Sequence, residues 1–205
     1  MENDIEKTDI EKTDEVLEEV PDSDKKSVGR KISSGIVELL IYCAIMVLCI
    51  TFVPRYVLQR TIVSGSSMES TLHNKENLLV EKVSYRFKDP DRFDVIVFYP
   101  YGRESDDYYI KRVIGLPGET VQIKGDTIYI NGEEIKENYG KDPMVYAGIA
   151  EEPLKLADDE FFVLGDNREV SEDSRYEEVG PVKRENIEGK AILRIYPFSE
   201  FGTFE

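Results

Sequence analysis

Residues 57–205 are predicted to fold as a mainly β domain, an antiparallel sheet or barrel carrying a small inserted subdomain, behind one N-terminal membrane-spanning helix. Three observations predict this. Seven short runs rich in Val, Ile, Tyr and Phe recur between turn signals. Gly125-Asp126 and Asn131-Gly132 supply the reversals that tight hairpins need. A single long apolar run, Ile36 to Val53, precedes all of them.

Residues 1–31 are polar and mostly acidic, with no apolar period. A short repeat, Asp4-Ile5-Glu6-Lys7-Thr8, recurs at Asp9-Ile10-Glu11-Lys12-Thr13. Such a composition cannot bury enough apolar surface to offset chain entropy, so a disordered or weakly helical tail is expected. Residues 32–56 are the expected transmembrane helix. Its apolar stretch would rise about 27 Å at roughly 1.5 Å per residue, close to the hydrocarbon thickness of a bilayer. The stretch lies too far from the N-terminus, and is too long, for the apolar core of a cleaved signal peptide. Lys25, Lys26, Arg30 and Lys31 precede it, and only Arg55 and Arg60 follow closely. The positive-inside rule then puts the N-terminus in the cytoplasm and residue 57 onward outside.

Beyond the helix, strands are expected at Leu78–Val83, Asp94–Phe98, Tyr108–Ile114, Thr120–Ile123, Thr127–Ile130, Glu160–Leu164 and Ala191–Tyr196. Residues 119–135 read as a hairpin or meander. Residues 136–159 are rich in Glu, Asp, Gly and Pro and read as a surface excursion between core strands.

Composition excludes several function classes. A net charge of −16 repels nucleic acid. The two cysteines, Cys43 and Cys49, both lie in the apolar run and cannot staple the outer domain or build a zinc site there. No CxxC, HExxH or EF-hand pattern occurs, and neither a metal nor an organic cofactor is expected.

The chemistry-bearing candidates are Ser67, in Ser64-Gly65-Ser66-Ser67-Met68, and Lys111, in Tyr109-Ile110-Lys111-Arg112-Val113. A serine nucleophile needs a base. The one histidine, His73, has no acid placed beside it by any motif. A lysine can serve if burial lowers its pKa from about 10.4. As a strand, 108–114 turns Tyr109, Lys111 and Val113 to one face and Ile110, Arg112 and Ile114 to the other. Lys111 can then be a buried base while Arg112 meets solvent or a carboxylate.

Val63-x-Gly65-x-Ser67-Met68-x-x-Thr71-Leu72 resembles the nucleophile motif of type I signal peptidases. Tyr109 to Gly118 is similar to that family's lysine motif. Phe162-Val163-Leu164-Gly165-Asp166-Asn167-Arg168-x-x-Ser171-x-Asp173-Ser174-Arg175 resembles its third motif. The resemblance spans roughly residues 30–197, in the family's order. It implies a membrane-bound endopeptidase that cuts signal peptides from exported preproteins after small residues, at sites of the Ala-x-Ala type. Ser67 would be the nucleophile, Lys111 the general base and Ser171 a hydrogen-bonding partner that orients Lys111. Asp166 would pair with Arg112, and Asp173 with Arg175. The Ser67 N–H would donate to the oxyanion; Gly65 stands where some members place a serine hydroxyl for that purpose. Val63, Met68, Leu72, Tyr109 and Ile110 would line two shallow apolar substrate pockets, core packing being the other reading for each. The implied partners are preproteins and the lipid bilayer, with no nucleic acid and no metal. Ser70 and Phe93 depart from the Pro and Gly common in the family, and an ordinary backbone conformation is expected at Phe93. Two other readings are a processing peptidase with few substrates and a non-catalytic membrane-anchored accessory protein.

Overall fold

The computed structural model describes residues 22–105, 107–140 and 142–204, with helix side chains from Gly35 onward. The expected tail lies outside the described residues as far as position 21. From there helix α1 runs from Asp22 to Tyr56, so the helix starts ahead of the expected boundary. It begins ahead of the expected residue 32 because lysine and arginine are good helix formers and extend the helix past its apolar run. Gly35–Tyr56, 22 residues, is long and apolar enough to cross a membrane. Pro54 falls in the last turn, where it has no N–H to donate to the carbonyl of Ile50 and so weakens the helix close to its end. The chain divides into two compact units, one ending at Val47 and one from Leu48 onward.

The second unit is built of antiparallel β structure. Its strands are β1 (Leu58–Ile62), β2 (Asn77–Glu81), β3 (Val95–Phe98), β4 (Tyr109–Gly115), β5 (Thr120–Lys124), β6 (Thr127–Ile130), β7 (Glu133–Glu134), β8 (Leu154–Lys155), β9 (Glu160–Leu164), β10 (Val182–Lys183) and β11 (Ile187–Tyr196). The larger sheet has the order β1-β2-β11-β3-β4-β9-β10, and the smaller β7-β6-β5-β8. β9 shows why the strand runs lack alternation. Phe161 and Val163 pack into one cluster with Ile96, Phe98, Val113 and Ile187. Phe162 and Leu164 pack into another with Ile114, Val121, Ile128 and Leu156. Both faces are covered, so consecutive residues are apolar. Each fully buried Phe contributes roughly 1.5–3 kcal/mol by burial.

The second cluster joins the sheets, which moves a boundary. The hairpin at 119–135 and the excursion at 136–159 are one unit, because β8 returns to pair Leu154 with Val121. Met144, Ala150 and Leu156 from the excursion are buried in the same cluster as the hairpin. β1 was not expected. It is an edge strand paired only with β2, so its run Leu58-Gln59-Arg60-Thr61-Ile62 needs little apolar character. Phe93 also departs from expectation, with φ at 72°, the left-handed region that favours glycine. Three contacts hold it there. Its N–H donates to the Val113 carbonyl at 2.8 Å, its carbonyl accepts from Arg112 Nη1 at 2.9 Å, and its ring lies 5.3 Å from that of Tyr139.

Candidate active site

Three segments meet around Ser67. The loop after β1 carries Ser67, β4 carries Lys111, and the loop after β9 carries Asp166 to Arg175. Lys111 Nζ donates to Ser67 Oγ at 2.8 Å. β4 is flanked by β3 along Tyr109 to Arg112, pairing Lys111 with Ile96, so the lysine stem is held in the sheet. Lys111 is 3% exposed. Burial brings its pKa from 10.5 down to about 8, against the opposing fields of Asp173, Glu172 and Asp166. A lysine in this state has a substantial neutral fraction near neutral to mildly alkaline pH, as a proton acceptor requires.

Arg112 diverges from Lys111 and meets a carboxylate rather than solvent. Its Nε and Nη2 grip Asp166 Oδ1 and Oδ2 at 3.0 and 2.7 Å, and its guanidinium lies 3.6 Å from the centre of the Tyr139 ring. Thr71 Oγ1 donates to the same carboxylate. The Asp166 pair therefore ties the Ser67 loop, β4 and the third motif together. Asp173 and Arg175 form a second buried two-pronged pair at 2.8 and 2.9 Å. Asp173 Oδ2 also accepts from the Gly165 N–H at 3.0 Å, and Arg175 Nη2 donates to the Arg168 carbonyl at 2.8 Å.

Gly165 and its neighbours set the approach of this loop. The Asn167 N–H donates to the Ser67 carbonyl at 3.0 Å. A Cβ at Gly165 would stand 2.4 Å from that carbonyl oxygen and 2.2 Å from Ser171 Oγ. Only glycine lets the third motif lie this close to the Ser67 backbone. Ser171 itself departs from expectation. Its Oγ is buried and has no hydrogen-bond partner among the described residues, so the expected bond to Lys111 is not formed. The hydroxyl is packed over Gly165, while Lys111 Nζ is engaged by Ser67.

A cleft of about 540 Å³ opens beside Ser67, lined by residues 61–68, 107–111, Val170 and Glu172. Of the expected pocket residues, Val63, Met68, Tyr109 and Ile110 line it. Leu72 does not. It is fully buried in the cluster with Leu78, Val95 and Ala191, so its role is core packing. Glu172 was missed at the sequence level. It accepts from the Tyr109 and Tyr101 hydroxyls at 3.2 and 3.3 Å. The Tyr101 hydroxyl and burial hold the Tyr109 phenol above its ordinary pKa. The sequence signal for Glu172 was its place between Ser171 and Asp173, whose side chains are both buried while its own is exposed.

His73 is an exposed residue whose Nδ1 lies 3.3 Å from Glu76 Oε1. With Glu76 and Glu200 it offers ligand atoms within 4.8 Å of one another. Arg194 supplies the cation of this group. Its Nη1 donates to Glu200, its Nη2 to the Thr71 carbonyl at 2.9 Å, and its Nε faces Glu76 Oε2 at 3.1 Å without hydrogen-bond alignment.

Comparison with known proteins identifies a family for this chain. Residues 36–196 match the family described as signal peptidase, peptidase S26. The chain is 40% identical over 151 residues to probable signal peptidase I-2 of Synechocystis sp., covering 72% of this chain and 67% of that one. It is 42% identical over 153 residues to signal peptidase I of Leptolyngbya laminosa, covering 72% and 73%. It is 36% identical over 182 residues to signal peptidase I P of Bacillus subtilis subsp. natto, covering 85% and 96%. With most of its length inside one family match and the three motif segments converging on one cleft, this chain belongs to the signal peptidase family, peptidase S26.

Proposed function

We propose that this chain is a membrane-anchored serine endopeptidase that cleaves signal peptides from exported preproteins, with Ser67 as nucleophile and Lys111 as general base. The observation that carries the reading is the 2.8 Å contact between Lys111 Nζ and Ser67 Oγ, made by a lysine whose burial lowers its pKa to about 8. The relatives named signal peptidase I support the substrate class.

In the reacting state the proton in this contact is reversed. Ser67 Oγ–H donates to neutral Nζ as Oγ attacks the scissile carbonyl carbon. The tetrahedral oxyanion takes the Ser67 N–H, which donates to no other acceptor among the described residues. The Lys111 ammonium then protonates the leaving amine as the C–N bond breaks. Water attacks the acyl-enzyme, gives its proton to Lys111, and Ser67 Oγ leaves with that proton. Arg112–Asp166 and Asp173–Arg175 hold the loops in place.

The substrate is bound in extended form. β9 pairs with β4 only from Arg112 to Gly115, so Tyr109 to Lys111 have a strand neighbour on the β3 side alone. A peptide strand can pair along that open edge. Val63, Met68 and Ile110 then offer shallow apolar seats that suit an Ala-x-Ala sequence. The helix Gly35–Tyr56 is the membrane anchor, with its N-terminal side cytoplasmic and residues 57–205 outside, by the asymmetry of flanking Lys and Arg.

The test is cleavage of a preprotein bearing an Ala-x-Ala site by the full chain in detergent, with the new N-terminus read by mass spectrometry. A cut after the second alanine is expected. Ser67→Ala and Lys111→Ala should each lower kcat/KM by roughly 10³-fold or more. Near-wild-type turnover in either variant would overturn the mechanism.

A further inference from the structure

A second cleft, of about 810 Å³, opens between the last turn of α1, the short helical turn Ser84–Arg86 and the turn ahead of β11. The cations on its walls are of two kinds. Lys82 and Arg103 both hold Glu188, and Arg184 holds Asp89. Arg55 and Arg86 have no carboxylate partner among the described residues. Instead both guanidinium groups stand by one ring, that of Tyr56, 5.8 and 5.4 Å from its centroid. Asp159 and Glu185 also line the cleft, and neither forms an ion pair among the described residues. In a chain of net charge −16, two arginines converging on one ring without an acid between them are a local exception.

The position of this pair selects its ligand. Arg55 lies in the last turn of the segment long enough to cross a bilayer, and in such a span that turn would fall at the depth of the lipid phosphates. The rings of Phe52 and Tyr56 are 4.7 Å apart and both are exposed. Phe87, next to Arg86, is 85% exposed. Aromatic rings beside cations at the end of an apolar helix are the composition of a membrane–water interface.

We propose that Arg55 and Arg86 bind the phosphate of an anionic phospholipid headgroup, with Phe52 and Phe87 against the adjoining acyl chains. The guanidinium forks match phosphate oxygens in pairs, which a lone ring-stacked cation in water does not need. A free phosphate would leave the exposed rings without a role, and a zwitterionic headgroup would bring its own cation to a site that already has two. The inference rests on reading Gly35–Tyr56 as a membrane span and is independent of the peptidase assignment.

The test is native mass spectrometry of the full chain in detergent, titrated with short-chain phosphatidylglycerol, phosphatidylcholine or inorganic phosphate. Phosphatidylglycerol should bind about tenfold or more tighter than phosphatidylcholine, two arginines near a headgroup being sufficient for that factor. Arg55→Gln with Arg86→Gln should abolish the preference. Lys124→Gln with Lys136→Gln, which removes the same charge from an exposed position on β5 and one just beyond β7, should leave it intact. Arg55→Lys with Arg86→Lys should retain part of it. Circular dichroism of each variant checks the fold. Equal binding of the two lipids, an unchanged preference in the Arg→Gln pair, or equal loss in the lysine control would overturn the proposal. So would inorganic phosphate competing as well as the lipid.

Discussion

Lys111 is a charged side chain kept where charge is disfavoured, and both activity and stability should register it. Its pKa near 8 places the acid limb of kcat/KM close to pH 8, activity falling as pH drops through that value and the base becomes protonated. Glu172 is exposed and its field raises the Lys111 pKa, so Glu172→Gln should move that limb to lower pH. A pH–rate profile whose acid limb is unmoved in the variant would count against the coupling. The stability effect has a defined sign. The folded pKa lies below the ordinary 10.5, so between about 8 and 10.5 the unfolded chain holds more protons and stability rises with pH. Below pH 8 the lysine is charged in both states, and its burial costs on the order of 3 kcal/mol. Lys111→Met should therefore be more stable than wild type at pH 7 by up to about that amount, with the gap closing toward pH 10.5. Urea denaturation at the two pH values measures it.

At the scale of elements, the third motif is pressed against the Ser67 loop through a glycine and two buried ion pairs. Gly165→Ala puts a methyl group into the Ser67 carbonyl and the Ser171 hydroxyl, so the loops must separate. Overpacking of this kind costs about 1–3 kcal/mol. Cleavage should fall further than stability does, since a displacement of the order of 1 Å at a reacting centre costs about 10²-fold in rate. Parallel denaturation and kinetics on the alanine variant separate the two. Asp166→Asn leaves the Arg112 guanidinium buried at 1% exposure without its counter-charge. A loss of roughly 3–5 kcal/mol is expected in the same denaturation assay. Phe93 carries the opposite lesson. Its left-handed backbone costs on the order of 1 kcal/mol, and packing on Tyr139 with the bond from Arg112 offsets it. The residue type argued for an ordinary conformation, and contacts from β4 and the excursion overruled that argument.

For the whole molecule, the unit from Leu48 onward contains all three hydrophobic clusters and both buried ion pairs. Removal of residues 1–47 should leave its thermal midpoint in detergent nearly unchanged. Cleavage of a short soluble peptide should stay within about threefold of wild type. Cleavage of a vesicle-inserted preprotein should drop by roughly 10²-fold, since confinement to one surface raises effective concentration by such factors. An equal loss on both substrates would show that the segment matters to the domain's own fold. Much of this organisation was legible in the residues themselves. The apolar length of α1, the short β-rich runs, the two turn dipeptides and the spacing of Ser67, Lys111 and the third motif depend on local physics, namely side-chain period, turn conformation and residue chemistry. The edge strand β1, the joining of the hairpin and excursion into one sheet, the left-handed Phe93, the inward turn of Leu72 and the unpartnered hydroxyl of Ser171 were decided only in three dimensions. Each depends on which distant segment packs against it, and a linear pattern carries no such distances. The same holds for Lys111: its residue type and apolar neighbours suggested a base, but the burial that lowers its pKa exists only once β4 lies beside β3 with the Ser67 loop and the third motif packed around it.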